Sequence, residues 1–145
     1  MAGPNIDVIY SRGGNVSSND GTTMTTGMVT ATADYTGASA NHVLAWTANT
    51  TNGGYIQRLR FKATGTVVAS VARIYINNGS VNTTATNNQF YGEQSLPAVT
   101  AINTSATSDI DYPMGFAIDP GFRIYVGLGT TVAASWIVTG VGGRY

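Results

Sequence analysis

The chain has 145 residues and zero formal net charge, with seven basic and seven acidic side chains, so that only 10% of its residues are charged. It has one histidine and no cysteine, which excludes disulfides, thiolate metal sites and multi-histidine metal sites. So few cations argue against a nucleic-acid partner held by phosphate neutralisation. No apolar run reaches the roughly 18 residues of a membrane-spanning helix. We therefore expect no metal, no cofactor, no nucleic acid and no membrane partner.

The N-terminal sequence lacks the basic and apolar regions of a signal peptide, so we expect no such leader. The length favours one domain over residues 1–145, with 1–12 as a candidate N-terminal arm. Helix formers are scarce, whereas β-branched and aromatic residues are abundant, which predicts an all-β protein. In chain order, apolar residues alternating with period two predict strands at 6–10, 28–35, 42–48, 55–64, 67–77, 89–96, 112–118, 122–128 and 133–141.

Clusters of Gly, Asn, Asp and Pro separate these segments and predict turns between them. Asp119-Pro120-Gly121 joins two alternating runs almost directly, which predicts a hairpin. In the segment 67–77 the predicted core face is formed by Val68, Ala72, Ile74 and Ile76. Together the segments predict a single β-sandwich, jelly-roll-like, with eight or nine antiparallel strands.

Three of the seven cations alternate along one predicted strand. Arg58, Arg60 and Lys62 would share one face, opposite Leu59 and Phe61. Two interpretations stay open: a docking stripe for an acidic partner surface, or a solvated strand face that discourages edge pairing.

Two further features could carry chemistry, and both favour an ordinary structural role. Asp109 and Asp111 could bind calcium or act as an acid/base pair, but no third acidic ligand lies near them. The spacing favours a solvated strand face. His42 is the single imidazole, and no G-x-S-x-G nucleophile motif accompanies it. We predict a hydrogen-bonded or solvated histidine at the start of a strand, and no enzyme activity.

Two parts of the chain resemble small structural proteins encoded among the head genes of tailed bacteriophages. One part is YIQRLRFKATGT at 55–66 with ARIYINNG at 72–79. The other is DPGFRIYVGLGTT at 119–131 with ASW at 134–136 and the closing GGRY at 142–145. Several proteins of this kind are β-sandwich decoration, or cement, proteins of the capsid. The resemblance covers about half of the chain and brings no active-site residues with it.

The resemblance implies a virion structural protein, made in the host bacterial cytoplasm and placed on the capsid surface. Its expected partners are the major capsid protein of a phage head and further copies of itself, as a homotrimer or homodimer. The segments 2–10 and 140–145 are candidate arms for docking or exchange, because a terminal strand can extend a neighbouring sheet. The candidate docking residues are Arg58, Arg60, Lys62, Tyr10, Arg144 and Tyr145. The alternatives are a tail, baseplate or fibre component and a carbohydrate-binding β-sandwich module.

Overall fold

A computed structural model describes residues 27–32 and 35–145, apart from the side chain of Arg144. This part of the chain forms seven strands and one turn of 3-10 helix at Ala85–Asn87. The strands are β1 (Val43–Thr47), β2 (Gly54–Ala63), β3 (Ser70–Asn77), β4 (Asn88–Leu96), β5 (Ile110–Ile118), β6 (Arg123–Leu128) and β7 (Trp136–Arg144). The all-β prediction is confirmed. The strand predicted at 6–10 lies outside the described residues, so the total of eight or nine stays a prediction.

The seven strands form two antiparallel sheets. The four-stranded sheet has the order β1-β6-β3-β4, and the three-stranded sheet has the order β5-β2-β7. Three of the pairings are nested along the chain: β1 with β6, β2 with β5, and β3 with β4. The first three strands and the next three are therefore the two halves of one long antiparallel ribbon. The chain changes sheet at every connection except that between β3 and β4.

Two turns, one at Asn49 and one at 119–121, lie together where this ribbon passes from one sheet to the other. The backbone N–H of Gly121 donates to the carbonyl of Asn49 at 3.0 Å, and that of Phe122 donates to the carbonyl of Asp119 at 3.2 Å. Gly121 has a φ of 76°, which glycine adopts without steric cost. The predicted turn at 119–121 is confirmed, but the predicted hairpin is wrong. β5 pairs with β2, and β6 pairs with β1 and β3, because turn residues set only a local reversal.

One hydrophobic core contains side chains from both sheets. The fully buried residues include Ile56, Leu59 and Phe61 of the three-stranded sheet and Ala72, Ile74, Ile124, Val126 and Leu128 of the four-stranded sheet. Trp46 of β1 crosses the space between the sheets. A Cβ atom added to Gly140 of β7 would lie 2.8 Å from the Cβ of Trp46. Glycine therefore leaves the room that this indole occupies.

Two details of the predicted strands are corrected by the structure. The segment 28–35 contributes two isolated bridges rather than a strand: Met28 pairs with Trp136 and Ala31 with Leu128, while residues 33 and 34 are outside the described part. Val68 is 55% exposed and does not belong to the core. Its neighbour Val67 takes the inward position and is bridged to Val99. The alternation of inward and outward side chains starts at the first residue of β3. Val68 lies before that residue, so extending the alternation back to Val68 assigns it to the wrong side.

Candidate functional site

Three cationic side chains lie on the outer face of β2, as the sequence predicts. Arg58, Arg60 and Lys62 are half-buried, while Leu59 and Phe61 between them point into the core. β5 is the antiparallel neighbour of β2, and its register sets Asp111 opposite Arg60. Asp109 immediately precedes β5. The fold therefore brings together two features that lie about 50 residues apart in the chain.

These five side chains form an ion network. Arg60 makes a bidentate contact with Asp111, in which Nε donates to Oδ1 at 2.9 Å and Nη2 donates to Oδ2 at 3.2 Å. Arg58 adds an ion pair to Asp111, with 3.6 Å between Nε and Oδ2. Lys62 Nζ lies 2.9 Å from Asp109 Oδ1, and Arg60 Nη1 lies 3.8 Å from Asp109 Oδ2. The network carries three positive and two negative charges.

The cations hold both carboxylates in their ionised form. Hydrogen bonding from Lys62 lowers the pKa of Asp109 below its ordinary value, and hydrogen bonding from Arg60 lowers the pKa of Asp111. A carboxylate with a lowered pKa cannot supply a proton at neutral pH, which argues against an acid/base pair. Each carboxylate is already paired with a cation, Asp111 with Arg60 and Asp109 with Lys62. In the described ranges, no group of three or more His, Cys, Asp or Glu side chains could hold a metal ion.

We expect Asp111→Asn to lower the melting temperature slightly at neutral pH and not at all in strong acid. The network side chains are 35–47% exposed, and solvent screening makes such pairs weak. Because the pKa of Asp111 is lowered in the folded chain, its stabilisation is present above the ordinary carboxyl pKa. It is lost as the pH falls through the lowered value.

Thermal unfolding of the parent chain and of Asp111→Asn, followed from pH 7 to pH 2, is the measurement. The melting temperatures should differ by a constant amount above about pH 5 and converge towards pH 2. The difference should also shrink in 1 M salt, where the screening length is about 3 Å. A difference that persists unchanged in strong acid would show that Asp111 acts through packing rather than charge.

The ion network also anchors the connection between β4 and β5. The ammonium group of Lys62 donates a hydrogen bond to the carbonyl of Thr107, in the loop that spans residues 97–109. The same ammonium contacts Asp109 two residues later. A single cation of β2 therefore fixes the end of this loop against the three-stranded sheet.

The remaining predicted docking residues lie at the other end of the same sheet or outside the described part. Arg144 ends β7, and its backbone pairs with Gly54. Tyr145 is half-buried, and its N–H donates to the carbonyl of Gly53 at 3.3 Å. Residues 140–144 belong to β7 along its pairing with β2, rather than extending away as an arm. Tyr10 and the predicted arms at 1–12 and 2–10 lie outside the described residues.

His42 is a buried, hydrogen-bonded side chain. Of the two environments predicted for it, hydrogen-bonded or solvated, the first is confirmed. Its Nε2 lies 3.3 Å from Thr32 Oγ1, and its ring stacks on Tyr75 with 4.7 Å between the centroids. It directly precedes β1. The segment before β1 therefore covers the outer face of the four-stranded sheet. This explains why Tyr75 is fully buried although its neighbour Ile74 points to the opposite side, into the core.

Sequence reasoning missed an aromatic group that bridges two sheet edges. Tyr91 of β4 lies 5.3 Å from Phe116 and 6.4 Å from Tyr112, measured between ring centroids. We call these three residues the aromatic flank. Tyr91 is skipped in the pairing of β3 with β4, where Ile74 faces Gly92 and Tyr75 faces Phe90. Such a bulge reorients a side chain and leaves no periodic signal. Burial raises the pKa of the Tyr112 hydroxyl.

Comparison with protein family models, with curated proteins and with solved structures gave no match to this chain. Within the described ranges, no helix has the length and apolar character needed to span a membrane.

Proposed function

We propose that this chain is a non-catalytic structural protein of a bacteriophage virion, and that it decorates the capsid as a cement protein. The resemblance of residues 55–66, 72–79, 119–131, 134–136 and 142–145 to phage head proteins supplies the biological context. The described geometry adds a physical reason for an assembly role, which is the distribution of charge over the surface.

The concentration of charge in the ion network is the observation that carries this proposal. The network uses three of the seven cationic and two of the seven acidic side chains of the chain. These charges compensate one another almost completely. Outside the network, the part of the chain that the structure describes has four further charged side chains, Arg73, Glu93, Asp119 and Arg123. Depletion of charge is typical of the centre of a protein interface.

We also propose that the two sheets form a β-sandwich of the jelly-roll type. The nested pairing of β1 with β6, β2 with β5 and β3 with β4 is the arrangement obtained when one long antiparallel ribbon is rolled up into two sheets. β7 pairs with β2 along the edge of β2 that does not pair with β5. The shared core of the two sheets supports the same proposal.

In this role the protein acts by burial of surface rather than by chemistry. Copies associate as a trimer or dimer and contact several capsid subunits, which resists the outward pressure of packaged DNA. Binding that requires the folded chain adds to its stability by mass action, and many weak contacts on a lattice add up through avidity. The ion network offers a polar contact with a net positive charge, and the aromatic flank offers an apolar one.

Electron microscopy of virions purified from the source of this gene tests the proposal. Regularly spaced copies of the chain on the head would support the cement role. Copies on the tail, baseplate or fibres would replace it with the second structural role. A chain that copurifies with no particle would overturn both.

Light scattering after size-exclusion chromatography tests self-association of the purified chain. We expect a dimer or trimer, and we expect Tyr91→Ser to shift it towards the monomer because this substitution removes the exposed ring of the aromatic flank. Val81→Ser is the matched control, since Val81 is 63% exposed and lies outside the flank. A monomeric parent chain would contradict self-association, and equal behaviour of the two variants would exclude the flank as the contact.

The carbohydrate-binding alternative is less well supported by the geometry. A sugar-binding face of the kind expected presents several exposed aromatic rings in one plane. The rings of Tyr91 and Tyr112 meet at 82°, and those of Tyr35 and Phe90 meet at 83°. These two pairs are edge-on, an arrangement in which aromatic rings pack against each other, and the rings of Tyr91 and Phe116 are tilted by 46° rather than coplanar.

A further inference from the structure

The edge of β4 that faces away from β3 has no strand beside it in the part of the chain that the structure describes. The two sheets end in four edge strands, β1, β4, β5 and β7. An unpaired edge is a template for a further strand, and proteins usually block it with short strands, proline, charge or a covering segment. The four edges differ in how completely they are blocked.

Three of the edges are blocked by devices of this kind. β1 has only five residues and an irregular register with its neighbour. β5 contains Pro113, which lacks a backbone donor, and Gly115, whose φ is 72°. The first residue of β7, Trp136, is already bridged to Met28. β1, β5 and β7 are therefore poor templates for a further strand.

β4 carries much less of this protection. It has nine residues, with no proline, lysine or arginine and a single charge at Glu93. The bulge at Tyr91 interrupts its pairing with β3, but beyond the bulge Gly92–Leu96 pairs with β3 in unbroken register. This stretch of β4 therefore offers a regular edge to one short strand.

The aromatic flank lies beside this edge and offers an apolar surface to the side chains of an added strand. Gly92 is at a core-facing position, since it lies opposite Ile74. A Cβ atom added to Gly92 would meet the hydroxyl of Tyr112, so this ring reaches from β5 to the edge of β4. Tyr91 is 40% exposed. A strand with alternating apolar residues can therefore pair with β4 and cover both tyrosine rings.

A strand of this length and pattern is predicted in the same chain at 6–10, outside the described residues. We propose that residues 6–10 of one copy add as a strand to Gly92–Leu96 of a second copy, with Ile6, Val8 and Tyr10 on the aromatic flank. The apolar residues match the flank, and the five-residue segment matches the length of the regular edge. This inference rests on the proposed self-association and names the segment and the edge that make the contact.

The connection at 11–27 is long enough for such an exchange. Met28 is bridged to β7, which lies against β1 at the opposite side of the fold from β4. The four-stranded sheet is about 14 Å wide between its outer strands, at about 4.8 Å per spacing. At roughly 3.3 Å per residue, the connection spans up to about 55 Å. Mutual exchange gives a dimer, and exchange around a ring gives a trimer.

Cross-linking between two single-cysteine variants tests the proposal on the full-length chain, which has no cysteine of its own. Val8→Cys and Ser95→Cys are mixed, unfolded, refolded together and treated with a short bis-maleimide. A product that joins the two variants can form only between two copies. Val81→Cys replaces Ser95→Cys in the matched control, since Val81 is exposed and lies outside β4. We expect about tenfold less of the mixed product in this control, because docking raises the effective concentration of the thiols.

Hydrogen exchange of the parent chain measures the same contact without a cross-linker. Exchange of amides within Gly92–Leu96 should slow by about tenfold as the protein concentration rises through the range of association. Val8→Pro should abolish this effect, because proline cannot donate to a neighbouring strand. Val16→Pro is the matched control, since residue 16 lies outside the predicted strand, and it should behave like the parent chain.

The possible results separate this inference from the proposed self-association. An oligomer in light scattering that shows neither the mixed product nor the slowed exchange would overturn the inference and leave self-association standing. Exchange that is slow at every concentration and restored by Val8→Pro would place residues 6–10 on their own copy, and would also overturn the inference. A monomeric parent chain would overturn both.

Discussion

Replacing Ile74 with alanine is expected to reduce the free energy of unfolding by about 2–5 kcal/mol, the usual cost of truncating a buried isoleucine. Ile74 is fully buried in the middle of β3, where it faces Gly92 of β4 and Val126 of β6. Neighbours on both sides limit how far the structure can collapse into the space left by the side chain. Urea unfolding at neutral pH, with equal slopes for the two proteins, is the measurement.

Val68→Ala is the matched control for this prediction. The sequence pattern assigns Val68 and Ile74 to the same core face, but Val68 is 55% exposed. We expect its substitution to change the free energy of unfolding by no more than about 0.5 kcal/mol. Equal losses for the two variants would place Val68 in the core and contradict the described course of the chain before β3.

Gly140→Ala is expected to destabilise the protein by about 1–3 kcal/mol, although it adds only one methyl group. An added Cβ atom would lie 2.6 Å from the carbonyl oxygen of Ala45 and 2.8 Å from the Cβ of Trp46. Both atoms belong to β1 of the opposite sheet, so the substitution would push the two sheets apart. Thermal or urea unfolding measures the loss, and light scattering shows whether the oligomeric state changes with it.

Gly129→Ala is the control for the effect of adding a methyl group as such. A Cβ atom at Gly129 would have no neighbour closer than 3.4 Å. We expect this variant to be neutral or slightly stabilised, because alanine has fewer unfolded conformations than glycine. If Gly140→Ala proved equally neutral, residues 140–145 would not be packed against β1. The hypothesis that this segment leaves its own sheet to dock on a partner would then gain support.

Local alternation in the sequence was enough to predict the faces of the best-defined strands. Along β2, the alternation predicts Leu59 and Phe61 inside and Arg60 and Lys62 outside, and the structure agrees. This works because successive side chains of a strand point to opposite sides. Once one side chain is assigned to the core, its two neighbours are assigned to the outer face. For His42 the sequence predicts a place at the start of a strand and leaves a hydrogen-bonded and a solvated side chain open, and only the structure shows that it is buried against Tyr75.

The partners of these strands could not be predicted from the same pattern. Asp119-Pro120-Gly121 has the residues of a hairpin turn, yet β5 and β6 belong to different sheets. The ion network depends on that topology, because only the pairing of β2 with β5 brings Asp111 opposite Arg60. The aromatic flank also depends on Tyr91 being left unpaired in the register of β3 with β4. The periodic pattern of the sequence does not indicate where such a bulge occurs.

The sequence by itself determined the all-β class, the scarcity of charge and the outward placement of three cations on one strand, since these depend on composition and on neighbouring residues. Only the tertiary structure decided that Asp109 and Asp111 compensate those cations and that the strands pair in nested order. Each of these contacts joins distant parts of the chain, so each depends on how the two sheets pack together.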